Sequence, residues 1–235
     1  MTKEEVAGMI DHTILAPNIK TAQVEKLCKE ADENHFASVC VNPSFVKISA
    51  ELLKNSSVKV CTVIGFPLGA VTTEDKASET TVAVANGADE VDMVIEISKA
   101  LEGNFSYIEK DIEGVVKAAS EAGTKVSRKI TVKVILETCY LDNETIRQCC
   151  IAAKNAGADF VKTSTGFGTP KAADGTSLPN GATVDHIRLM RETVGPDMGV
   201  KASGGVRTAE QAKVMIEAGA NRIGTSSGIK IMETW

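Results

Sequence analysis

The chain has 235 residues, 43% hydrophobic and 24% charged, with a formal net charge of −5. That length and apolar share suffice for a sizeable buried core. The weakly acidic balance speaks against nucleic acid or an anionic membrane surface as a partner, and no stretch reaches the roughly 18 consecutive apolar residues of a membrane span.

Met1–Glu5 run into mixed sequence without an apolar h-region, so no signal peptide is expected. The six cysteines include no C-x-x-C pair and read as reduced thiols of a cytoplasmic protein. His12, His35 and His186 are widely spaced, and neither a metal nor another cofactor is expected.

Eight runs read as short buried strands: Ile10–Leu15, Ala37–Val41, Lys59–Gly65, Glu90–Ile95, Thr131–Glu137, Phe160–Gly166, Gly199–Gly205 and Arg222–Ser226. Amphipathic segments lie between them. In Thr21–Glu33 the apolar positions Val24, Leu27, Cys28 and Ala31 follow helical spacing. Asp142 and Thr183 suit helix N-caps, and Thr208 to Gln211 has the spacing of a capping box. One strand and one helix in every ~29 residues predict a (β/α)8 TIM barrel, read as one domain over residues 1–235. An open doubly wound sheet is the alternative, weakened by the lack of G-x-G-x-x-G after the first strand.

A short repeat supports the barrel. Gly87-Ala88-Asp89, Gly157-Ala158-Asp159 and Gly219-Ala220-Asn221 each close a helix and lead into a strand, about two βα units apart. Asp92, Lys162 and Gly224 follow these glycines at equal spacing. On alternate strands they would share one interior layer, so Asp92 and Lys162 should point into one space.

Lys162 interrupts a run suited to burial, and Lys201 repeats the situation on the next strand. Buried lysines are rare unless paired or functional. Two ammonium groups in one dry pocket should drive one amine well below its ordinary pKa, and a neutral amine is the nucleophile of imine chemistry. The alternative is a structural ion network. Asp92 fits either a proton shuttle or a counter-ion.

Gly204-Gly205 and Gly224-Thr225-Ser226-Ser227 follow the last two strands, where such barrels recurrently bind phosphate. The irregular stretch 167–182 should lie over the same face. Cys40 reads as a small buried hydrophobe, Asp11 and Thr13 as possible pocket lining, Glu137 as a residue that could orient a lysine, and His12 and His186 as structural or exposed.

Seven segments in order carry a family resemblance: Ile10-Asp11-His12-Thr13, Ala37 to Pro43, Val63 to Gly69, Glu90 to Val94, Lys133 to Thr138, Phe160 to Gly166 and Lys201 to Arg207. The chain resembles the deoxyribose-phosphate aldolases, class I aldolases, along nearly its whole length. The resemblance implies reversible cleavage of 2-deoxy-D-ribose 5-phosphate to D-glyceraldehyde 3-phosphate and acetaldehyde, without a cofactor. It places the Schiff-base lysine on Lys162, a second, pKa-lowering lysine on Lys201 and a proton-relay aspartate on Asp92. Phosphate-binding backbone falls on Gly204 and Gly205, with Gly224, Ser226 and Ser227 opposite, and Thr165 joins the substrate-binding set. Its expected partners are small phosphorylated sugar and aldehyde substrates and further copies of the chain, as a dimer or tetramer. Three features depart from the family: Ala16 where many relatives have lysine, His35 where glycine is frequent, and a longer 167–182 loop.

Overall fold

A computed structural model describes residues 1–235. Eight parallel strands close into a barrel in sequence order: β1 (Ile10–Ile14), β2 (Ser38–Val41), β3 (Lys59–Ile64), β4 (Glu90–Val94), β5 (Thr131–Ile135), β6 (Phe160–Lys162), β7 (Gly199–Ser203) and β8 (Arg222–Thr225). The helices are α1 (Lys3–Ala7), α2 (Thr21–Glu33), α3 (Val46–Leu52), α4 (Thr73–Ala85), α5 (Ile97–Leu101), α6 (Phe105–Lys125), α7 (Asn143–Asn155), α8 (Val184–Val194), α9 (Ala209–Glu217) and α10 (Gly228–Thr234). The closed sheet excludes the doubly wound alternative. Every expected strand forms, each shortened at one or both ends. Beyond β6, Thr165 and Gly166 line the mouth of the barrel instead.

Local chemistry accounts for the helix starts. Asp142 accepts from the Thr145 N–H at 2.7 Å, Thr183 from His186 at 3.1 Å and Thr208 from Gln211 at 3.3 Å. The box at α9 closes one residue earlier than its spacing implies: the Gln211 carboxamide accepts from the Arg207 N–H at 2.8 Å. Helix α1 went unread in the sequence, although Thr2 and Glu5 form a reciprocal capping box. Gly87, Gly157 and Gly219 take positive φ of 113°, 79° and 116°, as the repeat required. His35 does the same job after α2 at φ 54°, which explains why glycine suits that site.

The register carries the barrel's stagger. Asp92 pairs with Lys133, whereas Lys162 pairs with Ile135, two residues further along β5. A shear of about one residue per strand therefore brings Asp92 and Lys162 to one depth. The main apolar core lies between strands and helices, including Val39, Val91, Val134, Ile112 and Ile187. The barrel interior is different: Asp11, Asp92, Lys133 and Lys201 are all fully buried in it.

The 167–182 loop folds back on itself through an antiparallel bridge between Lys171 and Ser177. Its base is anchored on both sides. The Thr169 N–H donates to the Tyr140 hydroxyl at 2.7 Å, and the Ala182 N–H donates to the Gly204 carbonyl at 3.0 Å.

Candidate active site

Lys162 closes β6 and Lys201 lies opposite it on β7. Just above them the Thr163 hydroxyl donates to the Ser203 carbonyl at 2.9 Å, which ties the two strand ends together. Both lysines donate to Asp92 Oδ2, Lys162 at 2.8 Å and Lys201 at 2.7 Å. Lys133 donates to Asp92 Oδ1 at 2.8 Å and to Glu90 Oε2 at 2.5 Å. Lys201 also pairs with Asp11, and Arg222 bridges Asp11 and Glu90. The sequence-predicted trio of Lys162, Lys201 and Asp92 thus meets at one carboxylate, inside a larger ion cluster.

Lys133, Glu90 and Arg222 escaped the sequence reading as members of this cluster. Both faces of a strand in such a barrel are buried, so periodicity does not separate an inward charge from an outward one. The available signal was the number of charged residues inside strands otherwise suited to burial.

Three carboxylates (Asp11, Glu90, Asp92) face the cations of Lys133, Lys201 and Arg222. These six charges balance without Lys162. Burial works against the charge on Asp92, but the ammonium groups of Lys133, Lys162 and Lys201 hold its carboxyl well below the usual range. Asp11 is likewise held low, against burial, by Arg222, Lys201 and Lys133. Burial opposes the charge on Lys201 too, yet Asp11 and Asp92 hold its amine above the ordinary lysine value. The expectation that bare repulsion between two amines governs this pocket therefore needs correction for Lys201, because carboxylates stand between the cations.

A cavity of about 310 Å³ opens above this cluster. Lys162 lines it; Lys133, Lys201 and Arg222 do not. Lys162 is 3% exposed, so its amine is nearly dry yet reachable.

The far wall holds Gly204, Gly205, Gly224 and Ser226, with Arg207 at the rim. Gly204 and Gly205 both have φ of 83°, and their amides, like that of Ser226, have no hydrogen-bond partner within the protein. Free amides beside a guanidinium suit an anion. Arg207 was quoted in a motif but not assigned a role from sequence. Gly224 has a second duty: a Cβ there would meet Lys201 Cε at 2.9 Å, so its lack of a side chain lets Lys201 lie flat. Ser227 does not line the cavity; its amide donates to Thr225 Oγ1 at 2.9 Å.

Thr165 lines the cavity, but its hydroxyl is committed to Glu137, and its amide donates to the same carboxylate at 3.2 Å. Glu137 thus fixes the turn after β6 instead of a lysine. Burial pushes the Glu137 carboxyl up. Thr13 lines the cavity, whereas Asp11 lies beneath it in the ion cluster. Cys40 is buried beside Cys61. His12 is structural: Nε2 bonds Glu30 Oε2 at 2.8 Å and the ring packs edge-on against Phe36.

The comparisons with known proteins agree with this geometry. The model of the DeoC/LacD family aldolases matches residues 6–234. A deoxyribose-phosphate aldolase of Thermoanaerobacter sp. (strain X514) is 57% identical over 230 residues, covering 98% of this chain and 96% of the relative. One from Clostridium perfringens (strain SM101 / Type A) is 57% identical over 233 residues, covering 99% and 96%. Among solved structures, the tetrameric deoxyribose phosphate aldolase from Aeropyrum pernix superposes with a TM-score of 0.86 at 34% identity, covering 99% of this chain and 91% of that one. The chain belongs to the DeoC/LacD family of aldolases.

Proposed function

We propose that this protein is a class I aldolase that reversibly cleaves 2-deoxy-D-ribose 5-phosphate to D-glyceraldehyde 3-phosphate and acetaldehyde. One observation carries the reading: of the four cations in the buried cluster, Lys162 alone opens into the cavity. Its free amine attacks the sugar's aldehyde carbon and forms a carbinolamine, which loses water to give an iminium. The iminium withdraws electrons as the C–C bond breaks. Glyceraldehyde 3-phosphate departs, and an enamine remains on Lys162. Protonation and hydrolysis then release acetaldehyde.

Each step moves a proton near Lys162. Asp92 Oδ2 touches both Lys162 and Lys201, so it links the reacting nitrogen to a charged ammonium reserve. Lys201, charged and sharing that oxygen, is the second lysine of the proposed site. Gly204, Gly205, Gly224, Ser226 and Arg207 would hold the substrate phosphate at the far wall, with Ser227 behind Thr225 shaping that loop. Thr165 would shape the near wall.

Residues 1–235 would act as one barrel domain in a homo-oligomer; the tetramer described for the Aeropyrum pernix aldolase supports assembly. No helix is long and apolar enough to cross a membrane, and all six cysteines are free, which supports a cytoplasmic setting.

Borohydride reduction in the presence of acetaldehyde, followed by peptide mass mapping, tests the reading. A reduced ethyl adduct on Lys162 is expected. An adduct on another lysine, or none, would overturn it.

A further inference from the structure

Cys40 and Cys61 take no part in the reaction drawn above, yet they adjoin its proton relay. They are register partners on β2 and β3, and both are fully buried. Their sulphurs and an Asp92 oxygen all lie within 4.8 Å of one another. The Cys61 thiol donates to Asp92 Oδ1 at 3.2 Å, and Lys133 Nζ stands 3.4 Å from the Cys61 sulphur. Neighbouring strands run about 4.8 Å apart, inside the Cα separations of roughly 4.4–6.8 Å that a disulfide spans. The other four cysteines lie on α2, on α7 or in the turn after β5.

We propose that Cys40 and Cys61 form a reversible disulfide that switches the Lys162 site off. The switching half rests on the aldolase reading; the bond itself does not. The oxidant is a hydroperoxide, of which hydrogen peroxide is small enough to enter a narrow barrel mouth. The Cys40 sulphur attacks one peroxide oxygen, the O–O bond breaks, and the departing hydroxide leaves as water with the thiol proton. Cys61 then attacks the resulting sulfenic sulphur, and the S–S bond forms as a second water leaves. Two thiols lose two electrons and the peroxide gains two.

The order follows from the surroundings. The Cys61 thiol is engaged with Asp92 Oδ1 and burial pushes it well up, whereas the Cys40 thiol gives no proton to that carboxylate. Cys40 is therefore the attacking thiol and Cys61 the resolving one. Closing the bond turns the Cys61 sulphur toward Cys40 and removes the S–H that donates to Asp92 Oδ1. The relay carboxylate then loses a positioning contact while three ammonium groups still compete for it. The same two sulphurs with Asp92 make a three-donor set, but those ammonium groups oppose a further cation, so the pair is read as thiol chemistry.

Protein treated with hydrogen peroxide, alkylated and digested without reductant tests this directly. One pair of peptides joined through Cys40 and Cys61 is expected, with retro-aldol activity down by about tenfold or more, and both changes reversed by dithiothreitol. Cys40→Ala should keep its own starting rate through the same treatment. Alkylated Cys40 and Cys61 after peroxide would overturn the bond. A joined pair with an unaltered rate, or equal inactivation of Cys40→Ala, would overturn the switch. The peptide map needs no activity, so a protein that cross-links but never cleaves the sugar phosphate would refute the aldolase reading and leave the disulfide standing.

Discussion

Lys162 and Lys201 are paired in register on neighbouring strands, and their ammonium groups converge on one oxygen, Asp92 Oδ2. Only one of the two faces the cavity. The asymmetry separates the proposed reacting amine from a neighbour held beneath it. The six other charges of the cluster balance without Lys162.

Lys162→Ala follows from that balance. Its removal should lower retro-aldol turnover by about 10⁴-fold or more while the fold survives, since the remaining ions still cancel. Circular dichroism and thermal melting check the fold, and single-turnover assays check the chemistry. Substantial residual turnover would point to another nucleophile.

Lys201→Leu should behave in the opposite way. Asp11 and Asp92 lose a shared cation, so stability should fall by roughly 3–5 kcal/mol, measurable by urea denaturation. With one cation gone from around Asp11 and Asp92, the pH at which the enzyme turns on should rise. An unchanged pH–rate profile in this variant would sink the charge-balance argument.

Acid should expose the carboxylates. Asp11 and Asp92 are both held below their unfolded range. In the window between the lowered folded values and the unfolded value near ~3.9, the native state binds fewer protons than the unfolded chain. Their contribution is therefore fully present above that unfolded value and is lost as pH falls through the window. Urea midpoints taken from pH 6 downward should drop steeply below about pH 4, and Asp92→Asn should flatten that drop.

His35 offers a test unrelated to catalysis. It is an exposed residue in a left-handed conformation after α2. His35→Gly should raise stability by about 0.5–1 kcal/mol, seen as a higher melting temperature with unchanged activity. A lower melting temperature would show that the imidazole makes a compensating contribution.

The proposed nucleophile, relay and anion donors all belong to the chain. EDTA should therefore leave the retro-aldol rate within about twofold, measured after dialysis against the chelator. A large, zinc- or manganese-restorable loss would contradict an imine mechanism.

Much of this architecture is readable in the sequence. The strands were legible because short apolar runs such as Val91–Ile95 follow helix-ending glycines such as Gly87. Asp92 and Lys162 were legible because the same glycine starts both units, so equal spacing meant equal depth. Arg222 and Glu90 were not, since their partners, Asp11 and Lys133, arrive from distant strands only once the barrel closes. The place of Ser227 was not legible either: its amide turns back onto Thr225 Oγ1, a contact that exists only once the turn after β8 forms.

The contact between Gly181 and Gly204 has a consequence for remodelling the entrance. A Cβ on Gly181 would meet the Gly204 carbonyl at 2.4 Å, and one on Gly204 would meet Gly181 Cα at 2.8 Å. The returning leg of the 167–182 hairpin therefore serves as a backing plate for the anion wall. At its tip, a Cβ on Gly175 would meet nothing within 4 Å. Insertions or grafted sequences at the tip should be absorbed without touching the reaction, whereas any side chain at the base would press directly on the proposed phosphate wall. This loop is thus open to change at its tip and closed to it at its base.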